Sequence, residues 1–463
     1  MGLGLHGGGL ECAKFLARCG AKLTVTDLRD AQSLQKPVDN LNSCVAECGA
    51  PPVNYVLGKH ETEDFKKADI VIKNPGVRPD SEFLKFARRI ETDISLFLRH
   101  NPARLTCVTG SKGKSFTASA IHYGLKVAHN NKLAGFNGNA YLGGNITVSP
   151  LTFLEKLTKD DDVVLELSSW QLGDLAAGSL KPHTALITAI MSDHLDRYGT
   201  MEAYVKDKRV IYQAQDSLCA TIAGSDSWGK SFLAESRARC YTYTNGKLEN
   251  GINGAYISPN GEGIAVGKIG VLNEGESAVV VPAYPSVPGL HQKTNLLAAS
   301  LALLELNIPP DFIKNALGKF PGIEHRLEFF YEKNGIKFYN DTAATIPEAA
   351  ACAVEALGHP VLVTGGTDKN LDFLPLCKAA KEAKAVILLS GSAEKKLVAA
   401  LQEAKVSFLG PYSSLDAALC AVKETAHNGD AVVLSPGCAS FGMFLNEFDR
   451  GRKWKEAVMR NWE

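Results

Sequence analysis

Short apolar runs alternate with amphipathic stretches along most of the chain, as in proteins whose parallel sheets are covered by helices. In the middle of the chain, the predicted strands are residues 105–108, 162–172 and 185–190, and the predicted helices are 116–127 and 201–215. Towards the carboxyl end, the predicted strands are residues 360–364, 385–389, 406–409 and 431–434. This alternation predicts an α/β fold in which right-handed crossovers connect parallel strands.

The chain is too long for one hydrophobic core, and its patterns divide it into three predicted domains. For 463 residues, about two to four domains are expected. Residues 1–100 are predicted to form a Rossmann-like domain, residues 101–322 a central phosphate-loop domain and residues 323–463 a second Rossmann-like domain. Between residues 241 and 283, short β-like pieces alternate with Asn-Gly turns, which predicts a small antiparallel addition to the central domain.

Charge and composition exclude several broad classes of function. Lysine and arginine together number 50, as do aspartate and glutamate, so the chain has no overall field to hold nucleic acid or an anionic membrane. Its apolar runs are much shorter than a bilayer span, and its first residues do not have the segments of a signal peptide. Eleven cysteines without paired CxxC spacing predict reduced thiols. We therefore expect a soluble, cytosolic protein that binds no nucleic acid and inserts into no membrane.

The segment with the clearest chemistry is residues 109–115, TGSKGKS, between a predicted strand and a predicted helix. A glycine turn at the start of a helix binds anions, because unpaired N–H groups and the positive helix end face it. Lys114 would contact nucleotide phosphates, and the Ser115 hydroxyl would bind Mg²⁺. Only Ser111 and Lys112 separate the two glycines, whereas the common motif has four residues there. The sequence therefore predicts a phosphate loop of contracted spacing.

A carboxylate interrupts the buried strand that follows. Glu166 lies near the end of an apolar run, where a charge is costly unless it is paired or bound to metal. Mg²⁺ is its predicted partner beside a phosphate loop, and a salt bridge is the alternative. Asp193 and His194 crowd a turn beyond the next predicted strand. The helix after that turn carries Lys208, which by its chemistry alone belongs to a solvated basic face.

The first residues of the chain contain a second glycine motif. Gly2, Gly4 and Gly7 fit GxGxxG, and Asp27 follows about 20 residues later, as in dinucleotide-binding folds. The turn normally follows a strand, so either the first strand is missing from this chain or the domain has one strand fewer. A glycine turn packed without a ligand is the alternative. Taken alone, the motif suggests a domain that binds NAD, but the identity of the nucleotide is left open by the sequence.

Five motifs, in order and spacing, resemble the Mur ligase family. They are TGSKGKS at 109–115, LELSSWQL at 165–172, SDHLDRYG at 192–199, GLHQKTN at 289–295 and EHR at 324–326. The resemblance covers nearly the whole chain and implies a three-domain, ATP-dependent amide ligase of peptidoglycan precursor synthesis. It also implies ATP and Mg²⁺ as cofactors.

The resemblance implies a role for individual residues. Those implied in ATP binding are Gly110, Ser111, Lys112, Gly113, Lys114, Ser115, Asn295, His325, Arg326 and Asp341. Those implied in binding a UDP-linked substrate are Asp27, Arg29, Asn74, Asn145 and Ser168, in place of NAD. The implied metal ligands are Ser115, Glu166, His194 and Lys208, the last as a carbamate. The implied catalytic residues are Lys114, His194 and Lys208.

Three carboxyl-terminal loops most closely resemble the branch of this family that adds D-glutamate to UDP-N-acetylmuramoyl-L-alanine. They are residues 340–345, 365–373 and 435–451. The implied glutamate-binding residues are Thr345, Lys369, Ser440, Phe441 and Phe448. Ala343 stands where that branch commonly has lysine, Gln292 where the family has asparagine and Phe116 where a second hydroxyl is usual. We expect a monomer whose substrates are those two molecules.

Other functions remain open from the sequence. A folylpolyglutamate-synthase-like ligase shares the central domain, but its relatives have no counterpart of residues 1–100. Another Mur-type ligase would add a different amino acid, and only the carboxyl-terminal loops argue against it. A non-catalytic nucleotide-binding protein would not need Lys114, Glu166, His194 and Lys208 together. An NAD dehydrogenase would have no need of the central phosphate-loop domain.

Overall fold

The computed structural model describes residues 1–4, 8–146, 148–176, 178–440 and 442–463. These residues form two compact units, Met1–Val281 with Asn295–Leu317, and Pro282–Thr294 with Gly318–Glu463. All eleven cysteines are free thiols, as their spacing predicts. Of the helices in the described ranges, none is both long and apolar enough to cross a bilayer.

The amino-terminal part of the first unit contains two small parallel sheets. Its elements are α1 (Gly8–Arg18), β1 (Thr24–Asp27), α2 (Gln35–Cys48), β2 (Asn54–Leu57), α3 (Thr62–Lys67), β3 (Val71–Ile72), a 3-10 helix (Glu82–Phe86), β4 (Ile90–Glu91) and α4 (Asp93–His100). Strand β1 pairs with β2, and β3 pairs with β4. Met1 N donates to Ile72 O and Gly2 N to Thr26 O. Residues 1–3 therefore lie between β1 and β3 in the manner of a short strand. A cavity of about 640 Å³ lies beside them, lined by α1, β1 and β3.

A nine-stranded sheet organises the rest of the first unit. Its strands are β5 (Arg104–Thr109), β6 (Ala140–Gly144), β7 (Asp162–Glu166), β8 (Thr184–Ile187), β9 (Ala220–Gly224), β10 (Arg239–Thr244), β11 (Gly254–Ile257), β12 (Gly263–Val266) and β13 (Ser277–Val281). The helices are α5 (Lys114–Asn130), α6 (Ser169–Gly173), α7 (Leu195–Tyr198), α8 (Met201–Gln213), α9 (Ser227–Glu235), α10 (Leu290–Glu305, continuing from the second unit) and α11 (Pro310–Gly318), with 3-10 turns at Pro150–Thr152 and Leu154–Lys156. The strand order is β13-β12-β11-β10-β9-β8-β5-β7-β6. The predicted antiparallel addition is the edge of this sheet, because β11, β12 and β13 pair antiparallel and β10 joins them to the parallel strands.

One predicted strand is shorter than its apolar run. The prediction extended it over 162–172, whereas β7 ends at Glu166. The Ser168 side chain accepts a hydrogen bond from Gln171 N, and α6 begins at the next residue. A serine cap supplies the helix with a partner for its first N–H groups, so the remaining apolar residues fold as a helix.

The second unit is built on a six-stranded sheet. Its strands are β14 (Glu328–Lys333), β15 (Ile336–Asn340), β16 (Val361–Gly365), β17 (Ala385–Leu389), β18 (Leu409–Tyr412) and β19 (Ala431–Leu434), in the order β14-β15-β19-β16-β17-β18. Its helices are α12 (Pro347–Leu357), α13 (Leu374–Ala379), α14 (Glu394–Glu403), α15 (Leu415–Thr425) and α16 (Glu447–Trp462), with a 3-10 turn at Ala380–Glu382. All pairs are parallel except β14 with β15. The strand predicted at 406–409 lies at Leu409–Tyr412 instead, because Val406 packs in the hydrophobic core after α14.

Candidate active site

The phosphate loop follows β5 and begins α5, as the sequence predicts. Gly113 is the N-terminal cap of α5 and has φ +88°. Ser111 N donates to Ala189 O at 2.8 Å, which ties the loop to the segment after β8. The loop therefore presents the positive end of a 17-residue helix beside the carboxyl ends of two central strands.

Gly110 is required by this geometry. Its φ is +145°, and a Cβ at that position would overlap the Oγ1 of Thr188 and lie 3.0 Å from its Cβ. A residue other than glycine must therefore move Thr188 or the loop backbone.

We expect Gly110→Ala to lower the free energy of unfolding by about 1–3 kcal/mol and to weaken nucleotide binding at least tenfold. Thermal unfolding and fluorescent-nucleotide titration measure these two effects. Gly135→Ala is the control, because Gly135 also has positive φ, +87°, but open space at its Cβ. Equal nucleotide affinity in both variants would contradict the steric explanation.

Two lysines flank the loop. Lys114 Nζ donates to Ser111 O at 3.0 Å across the turn. Lys208 Nζ donates to Gly110 O at 2.8 Å from α8, and its side chain is 1% exposed. Burial lowers the pKa of Lys208 to about 7, and the nearby charge of Lys114 is the second cause of the decrease. The interpretation of Lys208 as part of a solvated basic face, made from its chemistry alone, is therefore wrong, because the side chain points beneath the loop.

Glu166 lies at the end of β7, beside the loop strand. In the parallel register of β5 and β7, Val108 is opposite Glu166. The carboxylate is 1% exposed, and its Oε1 accepts a hydrogen bond from Asn145 Nδ2 at 3.0 Å. Its Oε2 is buried and has no hydrogen-bond partner in the described part of the chain. A buried carboxylate oxygen without a partner is costly, so the site fits an additional cation.

His194 follows β8 on a strained turn. Its φ is +53°, and its half-exposed ring lies 5.2 Å from the Trp170 ring and 6.3 Å from the Tyr204 ring, measured between centroids. Its Nε2 is 3.9 Å from Asp193 Oδ1. The two aromatic rings lie beside an imidazole that stays half-exposed.

The structure thus places Lys114, Glu166, Lys208 and Asn295 around the phosphate loop. Lys208 contacts Gly110 and lies within electrostatic range of Lys114, Glu166 and Asp193. The side chain of Asn295, on α10, lies next to Gly113, since a Cβ there would be 3.1 Å from its Nδ2. Ser115 and Lys112 belong to the same turn, with Lys112 exposed.

Tyr204 is a member of this cluster that sequence reasoning missed. Its hydroxyl lies 3.0 Å from Ser111 Oγ, and its ring lies 4.5 Å from Lys208 Nζ. The i,i+4 spacing of Tyr204 and Lys208 on one helix was the signal that could have identified it.

The residues predicted to bind a UDP-linked substrate lie in the first unit, at the end of a strand or in the one or two residues that follow a strand. Asp27 ends β1, and its carboxylate accepts hydrogen bonds from the N–H groups of Gly4 and Arg29. Asn74 follows β3 and accepts from Gly76 N. Ser168 caps α6. Gly7, the third glycine of the predicted motif, lies outside the described residues.

In the second unit, the predicted ATP-binding residues form a loop cluster of their own. Asp341 is buried and accepts hydrogen bonds from Leu327 N and Ser435 Oγ. Burial raises the pKa of Asp341 to about 7. His325 is buried, with its ring 5.6 Å from that of Phe448, and Arg326 is exposed.

The predicted glutamate-binding loops of this unit are hydrogen-bonded to one another. Gly437 N donates to Ala344 O, and the backbones of Thr367 and Ala439 exchange two hydrogen bonds. These contacts bring the loops of Thr345, Lys369 and Ser440 to the carboxyl ends of three neighbouring strands, β15, β16 and β19. Phe441 lies outside the described residues.

Known proteins resemble the chain over its whole length. Three family models match it: "Mur ligase MurD-like, N-terminal domain" at residues 1–95, "Mur ligase middle domain" at 108–303, and "Mur ligase, glutamate ligase domain" at 325–438. A protein of Treponema pallidum is 40% identical, covering 99% of this chain and 96% of that protein. The chain belongs to the Mur ligase family. The Treponema protein is named UDP-N-acetylmuramoylalanine--D-glutamate ligase, as is a Borreliella afzelii protein that is 38% identical over the same shares.

The fold is that of Mur ligases of known structure. MurF ligase from Thermotoga maritima, solved in complex with ADP, has a TM-score of 0.53 at 17% identity and covers 96% of this chain and 99% of its own. Mur ligases are ATP-dependent.

Proposed function

We propose that this chain is the ATP-dependent ligase that adds D-glutamate to UDP-N-acetylmuramoyl-L-alanine in peptidoglycan precursor synthesis. Relatives that are 38–40% identical over 99% of the chain carry the name of that activity. The structural observation that carries the chemistry is the convergence of Lys114, Glu166 and Lys208 on one phosphate loop.

The proposed reaction activates a carboxylate before joining it to an amine. An oxygen of the alanyl carboxylate attacks the γ-phosphorus of ATP, the bond to the ADP oxygen breaks, and an acyl phosphate forms. The D-glutamate nitrogen then attacks the carbonyl carbon, phosphate leaves, and the nitrogen releases a proton. Lys114 would stabilise charge on the transferred phosphoryl group, which needs positioning and neutralisation above all.

Ser115 and Glu166 are the proposed ligands of one Mg²⁺, and His194 is the proposed ligand of a second. Oxygen ligands suit Mg²⁺, and the buried Glu166 Oε2 fits such a partner. When bound, Mg²⁺ would neutralise charge on the triphosphate and the reacting carboxylate. Asn145 would orient Glu166 through its hydrogen bond to Oε1.

Lys208 is proposed to be carbamylated. Carbon dioxide adds to a neutral amine, and burial lowers the pKa of Lys208 to about 7, which supplies that form near neutral pH. The product is an anion able to join Glu166 as a metal ligand.

Phosphate release tests the proposed function. We expect release with UDP-N-acetylmuramoyl-L-alanine, ATP and Mg²⁺ to depend on D-glutamate, with L-glutamate and a panel of other amino acids at least a hundredfold less effective in kcat/KM. A different preferred amino acid would reassign the chain to another Mur-type ligase. If phosphate release depended on neither the amino acid nor the UDP-linked substrate, the proposed ligation would be refuted.

A further inference from the structure

Arg450 is a buried cation in the first turn of α16. Its side chain is 1% exposed, and in the described part of the chain no carboxylate lies within 4.0 Å of it. Burial lowers its pKa to about 10, so the guanidinium remains charged at neutral pH. A buried charge is unfavourable unless an anion accompanies it.

The partners of Arg450 are neutral groups of two glutamate-site loops. Its Nε donates to Thr342 Oγ1 and its NH2 to Thr342 O, each at 2.9 Å. Its NH1 donates to Cys438 O at 3.1 Å. Thr342 lies three residues before Thr345, and Cys438 lies two residues before Ser440. The guanidinium thus joins the loop after β15 to the loop after β19.

The same guanidinium also reaches the third loop. A Cβ on Gly366 would lie 3.5 Å from Arg450 NH1 and would overlap Ala439 O, so glycine allows the close approach. Gly366, Ser390, Ser440 and Arg450 are among the residues that line a cavity of about 10 Å³, room for one oxygen-sized group. A guanidinium has five N–H groups, and three of them are used in the contacts above.

We propose that Arg450 is a specificity-determining positioning residue, whose buried charge selects an incoming amino acid that carries a second carboxylate. This role rests on the proposed function. A cation at the junction of three loops that has no carboxylate within 4.0 Å in the described part of the chain favours a dicarboxylate over a neutral amino acid of the same shape. A residue that only joined the loops would not distinguish the dicarboxylate from the neutral amino acid.

Arg450→Met, which removes the charge, and Arg450→Lys, which keeps it, test this proposal. kcat and KM are measured for D-glutamate, D-glutamine and ATP. We expect Arg450→Met to raise the KM for D-glutamate and to lower the D-glutamate to D-glutamine preference, both at least tenfold, with the KM for ATP unchanged. Arg450→Lys should retain most of the preference. The proposal would be overturned if both variants lost activity equally while the D-glutamate to D-glutamine preference stayed unchanged. That result is expected of a residue that only holds the loops together, because such a role depends on the geometry of the guanidinium and not on its charge.

Thermal unfolding controls for loss of the fold. If Arg450→Met does not fold, Arg450→Gln replaces it, since glutamine keeps a donor towards Thr342 without the charge. If neither neutral variant folds, Arg450 is a structural residue and the proposal is rejected. Wild-type enzyme that shows no D-glutamate-dependent phosphate release would instead refute the proposed function.

Discussion

Lys114→Ala is expected to lower the rate of ADP formation by about 10² to 10³-fold. Lys114 begins α5, and its ammonium group lies across the phosphate loop, 3.0 Å from Ser111 O. Alanine removes a cation that contacts the loop backbone, while the backbone N–H groups and the helix end remain. We therefore expect turnover to fall more than nucleotide affinity. Coupled assay of ADP and nucleotide titration measure the two quantities.

Lys126→Ala is the matched control for that variant. Lys126 lies on the same helix and is exposed. Its replacement should leave turnover and thermal stability within experimental error of wild type. If Lys114→Ala retained wild-type turnover, the phosphate loop would have no part in the mechanism.

Lys208→Ala is expected to lower activity at least about a hundredfold and to regain part of it with a small added carboxylate. The proposed carbamate supplies an anion beneath the loop, and alanine leaves space for a carboxylate to take its place. A buried lysine acting as a cation would not be replaced by an anion, so rescue distinguishes the two roles. Phosphate release at increasing formate or acetate concentration measures the rescue.

Lys206→Ala controls for the loss of a lysine from α8. Lys206 is exposed, whereas Lys208 is buried against Gly110. We expect wild-type activity from Lys206→Ala and no effect of added carboxylate on it. Full activity of Lys208→Ala, or a loss that no carboxylate reverses, would refute the carbamate.

Local sequence features predicted the elements of the site well where one chemical requirement dominated. The TGSKGKS turn had to follow a strand and begin a helix, and the structure confirms β5 and α5 on either side of it. The strands at Ala385–Leu389 and Ala431–Leu434 have the predicted bounds, because both are apolar runs buried within a parallel sheet.

Secondary structure was predicted less well where an apolar run could be buried either as a strand or as a helix or loop. Residues 167–172 contain three apolar side chains, as β7 does, but Ser168 caps a helix and the strand ends before it. Val406 is as apolar as a strand residue, yet it is buried after α14. Periodicity alone cannot separate a short buried strand from a short buried helix or loop.

The sequence by itself determined the family, the order of strands and helices, and the residue types that handle phosphate, metal and carboxylate. These follow from local patterns and from motifs of fixed spacing. Only the tertiary structure decided which charges are buried. Lys208 and Arg450 are lysine and arginine in charged, helical sequence, and their burial arises because Gly110, Thr342 and Cys438, 12 to 108 residues away, supply the backbone and hydroxyl oxygens that accept their hydrogen bonds. Contacts of that sequence separation form only when the chain is folded, and they set the charge that each site offers to a substrate.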